Sequence, residues 1–399
     1  MKKRYDFLRL RQGWILLAFS LLFFSSCDRN DPPAEPQNQY LVGSDVAVEL
    51  SKDEIAKQLV GFGPLVSSFL RNGIKGYRIT YKTKNTDGRE ITASGALILP
   101  VTTAAVSLVS VQHGTITNDE EAPSNFKGGA DASLNTLFSS LGYIISAPDY
   151  IGYGASKNLP HPYEHRASLA SASLDMLRAA KEFLKSQNTV KWNNKVYIAG
   201  YSEGGFASMA MQKMMEEGAA TEFDLRASSL GAGAYDKTAF MKYLINTKTH
   251  GIAGFNRSYL WVTLTYDRVY GLNRPKSAYF KEPFATQIQN NGLDANINVS
   301  FNTIFTDAFV KGVNDGTDKG FLDAVADNNV YDWKPKTPTQ LYHGTADQLV
   351  FFFNSKNAFD AMRKRGATNV DLIEIPGGDH ASSIQTYLFG TVTFFSSTP

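Results

Sequence analysis

Residues 196–205 read Val196-Tyr197-Ile198-Ala199-Gly200-Tyr201-Ser202-Glu203-Gly204-Gly205. An apolar, β-favouring run enters the motif G-x-S-x-G, and a helix-favouring segment, residues 203–217, leaves it. A serine so placed sits on a strand-to-helix turn too tight for bulky neighbours, which is what Gly200, Gly204 and Gly205 provide. The helix starting near Glu203 would aim backbone N–H groups and the positive end of its dipole at the serine, where an oxyanion would form. Ser202 is therefore the expected nucleophile. A bare G-x-S-x-G is common; its weight here comes from the flanking elements and from partners that follow downstream.

Outward from this turn, strand candidates at 106–112, 143–147, 195–199, 227–232, 339–342 and 370–375 alternate with helical stretches at 132–141, 166–186, 203–217 and 354–365. Such alternation implies an α/β fold, a mostly parallel central sheet with helices on both faces and right-handed crossovers. Ahead of it, residues 77–83 and 91–99 are joined through Asp87-Gly88 and read as an antiparallel hairpin. Ser51 followed by Glu54 fits a capping box opening a helical stretch at 51–71, interrupted near Gly61-Phe62-Gly63-Pro64. Residues 236–336 break the rhythm. They are rich in aromatics, including Phe240, Tyr259 and Trp261, and show no strand–helix pair. A structureless loop of that length is implausible in a compact domain. The segment reads as an inserted, mainly helical cap, dividing the core into residues 51–235 and 337–399.

A serine nucleophile needs a base and a group to orient it. After Ser202 the chain offers His343-Gly344-Thr345-Ala346-Asp347 behind one strand and Pro376-Gly377-Gly378-Asp379-His380 behind the next. Both exits lie on the carboxyl edge of the sheet, beside the elbow. His380 is the expected general base, and Asp347 the carboxylate that holds its tautomer. Asp379 is expected to cap its own loop, His343 to pack structurally, and His161 and His165 to be surface or structural residues rather than pocket lining. His250 is expected to face solvent. For the oxyanion, one donor is expected to be the N–H of Glu203; the other is that of Thr115 or Gly114, in the His113-Gly114-Thr115 turn after the strand at 106–112. Tyr150 and Tyr153 are expected to stabilise a glycine-rich turn, and Asp149 is left outside the chemistry.

The rest of the chain bounds the possibilities. Its 399 residues are 43% hydrophobic with net charge +2, ample for a large core. Outside the extreme N-terminus there is no long basic run, so nothing points to DNA or RNA. A single cysteine, Cys27, allows no internal disulfide. Residues 1–26 have the order of a secretory signal: a basic start, an apolar run from Trp14 to Phe24, then Ser25 and Ser26. Phe24-Ser25-Ser26-Cys27 resembles a bacterial lipobox, with Phe where Leu is commoner. That resemblance implies lipidation of Cys27, a membrane anchor, and a place in the bacterial cell envelope. Residues 27–50 are read as the tether; the stretch from Asp28 to about Val48 is polar, with Asp31-Pro32-Pro33 and many Asn and Gln.

Together, His113-Gly114-Thr115, the turn at 148–154, Gly200-Tyr201-Ser202-Glu203-Gly204-Gly205, His343-Gly344-Thr345-Ala346-Asp347 and Gly377-Gly378-Asp379-His380 resemble the secretory-lipase branch of the α/β-hydrolases. The resemblance spans roughly residues 74–395. It implies hydrolysis of a small-molecule or lipid ester, a cap shaping an acyl tunnel, and no metal or organic cofactor. The lipoprotein-like N-terminus departs from that family. Other readings on the same triad are a serine peptidase or acyltransferase and a polysaccharide acyl-esterase. A peptidase acting on free N-termini would need extra carboxylates in the pocket, and the sequence identifies no such pair. A catalytically silent binding protein would be expected to carry damage at the elbow or the histidine, and there is none.

Overall fold

The computed structural model describes residues 38–59, 69–127, 130–187 and 189–398. The signal-like segment and Cys27 lie outside the described residues. So does the middle of the helical stretch expected at 51–71, of which α1 (Lys52–Gln58) is seen, opened by the Ser51–Glu54 capping box.

Nine strands form one sheet: β1 (Leu41–Leu50), β2 (Ile74–Lys84), β3 (Glu90–Pro100), β4 (Ala105–Gln112), β5 (Ile144–Pro148), β6 (Lys191–Tyr201), β7 (Asp224–Gly231), β8 (Thr339–Gly344) and β9 (Val370–Ile375). Their order is β1-β2-β3-β5-β4-β6-β7-β8-β9. The pairs β1/β2, β2/β3 and β3/β5 are antiparallel, and every pair from β5/β4 onward is parallel. Successive residues of a strand face opposite sides, and the core follows that rule. Leu97, Leu108 and Ile198 pack into one cluster, while Ile98, Val109 and Ala199 pack into the other.

The helices fill both faces. In chain order they are α2 (Ala130–Ser140), α3 (Arg166–Ser186), α4 (Glu203–Gly218), α5 (Lys237–Asn246), α6 (Ala253–Val269), α7 (Lys276–Tyr279), α8 (Phe284–Asn291), α9 (Asp307–Asn314), α10 (Lys319–Asp327), α11 (Phe353–Lys364) and α12 (Ile384–Ser397). Phe183 of α3, Phe206 of α4 and Met362 of α11 join the first cluster; Ile55 of α1, Phe138 of α2 and Phe395 of α12 join the second. Burying each such side chain contributes about 1.5–3 kcal/mol. No helix among the described residues is long and apolar enough to cross a membrane.

The insertion is helical, as expected, from α5 to α10. It carries a core of its own, in which Phe305, Phe309 and Phe321 pack in series, tilted and then edge-on, with ring centroids 5.3 and 5.0 Å apart. It leaves the sheet at the carboxyl end of β7 and returns at the start of β8, on the opposite edge of this parallel pair. The two ends of its helical part are neighbours all the same, because the Val330 N–H, just past α10, donates to the carbonyl of Tyr235, just before α5 (3.1 Å).

One expectation needs correction. Residues 41–50 are not tether but the edge strand β1, paired antiparallel with β2 over its length. Its side chains are mostly exposed, so no alternating apolar signal marks it. The order comes from backbone pairing and from Glu182, whose carboxylate accepts the N–H groups of Gln39, Tyr40 and Leu41.

Candidate active site

Strand β6 runs into Ser202, which holds φ 61° and ψ −123° ahead of α4. A non-glycine residue there costs on the order of 1–3 kcal/mol and persists only when its surroundings over-determine it. The Ser202 N–H donates to the carbonyl of Gly231 on β7 (2.9 Å), and its own carbonyl accepts from Phe206 (3.1 Å). The tightness explains the glycines. A Cβ on Gly200 would fall 2.2 Å from the Gly204 carbonyl oxygen, and one on Gly204 would fall 2.1 Å from that of Gln112.

Three distant side chains meet at this turn. His380 Nε2 lies 2.9 Å from Ser202 Oγ, and His380 Nδ1 lies 2.6 Å from Asp347 Oδ2. Against an ionised carboxylate, Nδ1 is the donor, so the lone pair of Nε2 faces the serine hydroxyl. The other carboxylate oxygen accepts the N–H groups of Leu349 (2.8 Å) and Val350 (2.9 Å). Burial pushes the Asp347 carboxyl up, but hydrogen bonds from His343 and His380 outweigh it and hold the group down at about 2. The loop carrying His380 is fastened by the Tyr201 hydroxyl, which donates to the His380 carbonyl (2.8 Å).

The other candidates take supporting places. Asp379 accepts the N–H groups of Ala381 and Ser382, capping its own turn. His343 is fully buried; its Nε2 donates to the Val350 carbonyl (2.6 Å), so its Nδ1 accepts from Ser355 Oγ (2.7 Å). Glu203 occupies the first helical position, where the backbone N–H has no intrahelical acceptor. The His113–Thr115 turn passes close to the serine: a Cβ on Gly114 would lie 3.9 Å from Ser202 Cβ. Behind that turn, the Tyr150 hydroxyl donates to the His113 carbonyl (3.1 Å) and that of Tyr153 to the Ile116 carbonyl (2.7 Å). Asp149 is buried on Ser94 Oγ and the Ser124 N–H, and burial raises its carboxyl.

One expectation is corrected: His250 is not solvent-facing but half-buried, packed against Phe255 with centroids 4.7 Å apart. His161 takes the structural of the two places expected for it. It is buried, donates Nδ1–H to the Ile151 carbonyl (2.7 Å) and meets Glu203 Oε1 through Nε2 (2.8 Å). Glu164, a carboxylate the sequence did not single out, is buried as well and paired with Lys237 of α5. Burial drives the Glu164 carboxyl up and the Lys237 ammonium down. His165 is also buried; desolvation lowers it to about 4.

Two cavities meet at Ser202. The inner one, of about 30 Å³, lies toward the insertion and is lined by Glu164, Lys237, Phe240, Met241 and Leu244 among others. The outer one, of about 280 Å³, is lined by Gly114, Thr115, His380, Ile384 and Leu388 among others. Among the described residues, no group of three or more His, Cys, Asp or Glu side chains is arranged to hold a metal ion.

The family model described as secretory lipase matches residues 126–392. A candidate hydrolase from Legionella pneumophila superposes with TM-score 0.80 at 25% identity, covering 90% of this chain and 98% of its own. The rice cell wall degrading esterase LipA from Xanthomonas oryzae superposes with TM-score 0.71 at 25% identity, covering 89% and 96%. Candida antarctica lipase A shares the fold at 14% identity, with TM-score 0.63 and coverage of 89% and 83%. No curated protein sequence matches the chain.

Proposed function

The chain belongs to the secretory lipase family, and from that premise we propose that it hydrolyses carboxylic esters through an acyl-enzyme on Ser202. The observation that carries the reading is the continuous relay Ser202 Oγ, His380 Nε2, His380 Nδ1, Asp347 Oδ2, with links of 2.9 and 2.6 Å. His380 takes the hydroxyl proton as Ser202 attacks the ester carbonyl. The tetrahedral oxyanion is held by the N–H of Glu203 and by that of Gly114 or Thr115; losing one such donor typically costs about 2.7–4 kcal/mol. His380 then gives the proton to the departing alcohol. A water, activated by the same imidazole, releases the acid and regenerates Ser202. Asp347 stays ionised throughout, because its carboxyl lies far below neutral.

Two rival readings are weakened by the surroundings. A peptidase that grips a free amino terminus needs an uncompensated carboxylate, whereas Glu164 is paired with Lys237 and Glu203 with His161. A silent binding protein would have no use for a strained serine aligned with a base. An acyl-esterase acting on cell-wall material is the second reading, favoured by the likeness to the Xanthomonas oryzae esterase.

Ser202→Ala is expected to lower hydrolysis of p-nitrophenyl esters by about 10⁴-fold or more with an unchanged melting temperature. Unaltered turnover in that variant refutes the proposal. We also propose that Cys27 is lipidated after export and anchors the enzyme to the cell envelope, as the lipobox-like sequence implies. Labelled palmitate should enter the wild-type protein in a bacterial host and be absent from Cys27→Ser.

A further inference from the structure

Resting on the ester-hydrolase reading, we infer that the enzyme is selective for esters of a short acyl group with an extended apolar alcohol. The departing oxygen must reach His380 Nε2 to be protonated. His380 lines the outer cavity and is not among the residues of the inner one. That assigns the alcohol to the outer cavity and the acyl group to the inner.

The sizes then set the selectivity. By the same measure the inner cavity holds about 30 Å³ and the outer about 280 Å³, so the acyl side favours a short tail such as acetyl. Buried Phe240, Met241 and Leu244 wall off further length, and the Glu164–Lys237 pair adds a polar face that repels a longer alkyl chain. The alcohol side is the opposite. Leu134 and Phe138 of α2 with Ile384 and Leu388 of α12 line the outer cavity of about 280 Å³, and the same four residues line a further groove of about 450 Å³ that continues to Leu141 and Phe389. Ser202 thus faces a small cavity on one side and two larger, adjoining apolar cavities on the other.

The test is a pair of ester series on the full chain. With acetyl fixed, kcat/KM for straight-chain alkyl acetates should climb from ethyl to octyl by about two- to fourfold per methylene, the gain expected for burying each in an apolar wall. With p-nitrophenol fixed, kcat/KM should fall at least about tenfold from acetyl to octanoyl. Leu388→Asn should flatten the first slope and Met241→Ala the second. Each slope is a ratio within one variant, so partial misfolding does not mimic either result. Reversed slopes overturn this inference and leave the ester-hydrolase reading standing, as do correct slopes that neither substitution moves. Absence of turnover for every ester in both series overturns that reading and this one together.

Discussion

The rim of the sheet and the floor beneath the insertion both border Ser202, yet they are held by different means. At the rim, the side chains are placed by backbone: strand ends, a positive φ at Ser202, and turns closed by main-chain hydrogen bonds. At the floor, they are placed by charge. Lys237 comes from α5, and its partner Glu164 comes from the loop before α3, 73 residues earlier. The rim costs local strain, and the floor costs desolvation of two ions. A site positioned by backbone tolerates change poorly at glycine; a site positioned by a buried pair tolerates it poorly at either charge.

That contrast can be broken by experiment. Lys237→Met should destabilise the protein by about 3–5 kcal/mol, because it strands the Glu164 carboxylate in the interior. Adding Glu164→Gln should recover much of the loss. Urea denaturation of the single and double variants measures both, and equal losses in the two would mean that the pair is not what organises the floor. Gly204→Ala is expected to cost about 1–3 kcal/mol through overpacking, since the new methyl meets the Gln112 carbonyl at 2.1 Å. It should also lower kcat by shifting the Glu203 N–H. A stable, fully active Gly204→Ala would deny the rim its dependence on close backbone approach.

The smallest effect concerns pH. The Asp347 carboxyl is lowered in the folded protein, to about 2, so it contributes stability that is fully present above about pH 4. That contribution disappears as pH falls through about 2, and amounts to roughly 2 kcal/mol. The stability gap between wild type and Asp347→Asn should therefore narrow by about that much between pH 6 and pH 2. A gap that stays constant would show that the imidazoles do not hold the carboxylate ionised.

The same division decided what was legible in the sequence. The strand–helix alternation, the elbow and the loops bearing Asp347 and His380 were readable because each places its residue through local chain geometry, which leaves glycines and apolar runs at fixed offsets. Helix α3 and strand β9 fall within the very bounds their patterns indicate. Strand β1 was not readable, because its order comes from β2 and from the Glu182 carboxylate rather than from its own side chains. Glu164, Lys237 and the His161–Glu203 pair were missed for a similar reason. Nothing local distinguishes a charged residue destined for the interior from one bound for solvent; only its distant partner does. His161 sits in the proline-rich run Leu159-Pro160-His161-Pro162, and such a run gave no hint of burial.

The helical part of the insertion begins just after Tyr235 and ends just before Val330, two residues joined by a main-chain hydrogen bond. Its two attachment points are consequently a hinge's width apart, like the ends of a cartridge seated in a socket. Exchange of the whole segment for another with matching ends would alter the acyl-side wall while leaving the relay of Ser202, His380 and Asp347 on the chassis. Variation in what such an enzyme accepts can accumulate in that cartridge without each change having to be reconciled with the chemistry.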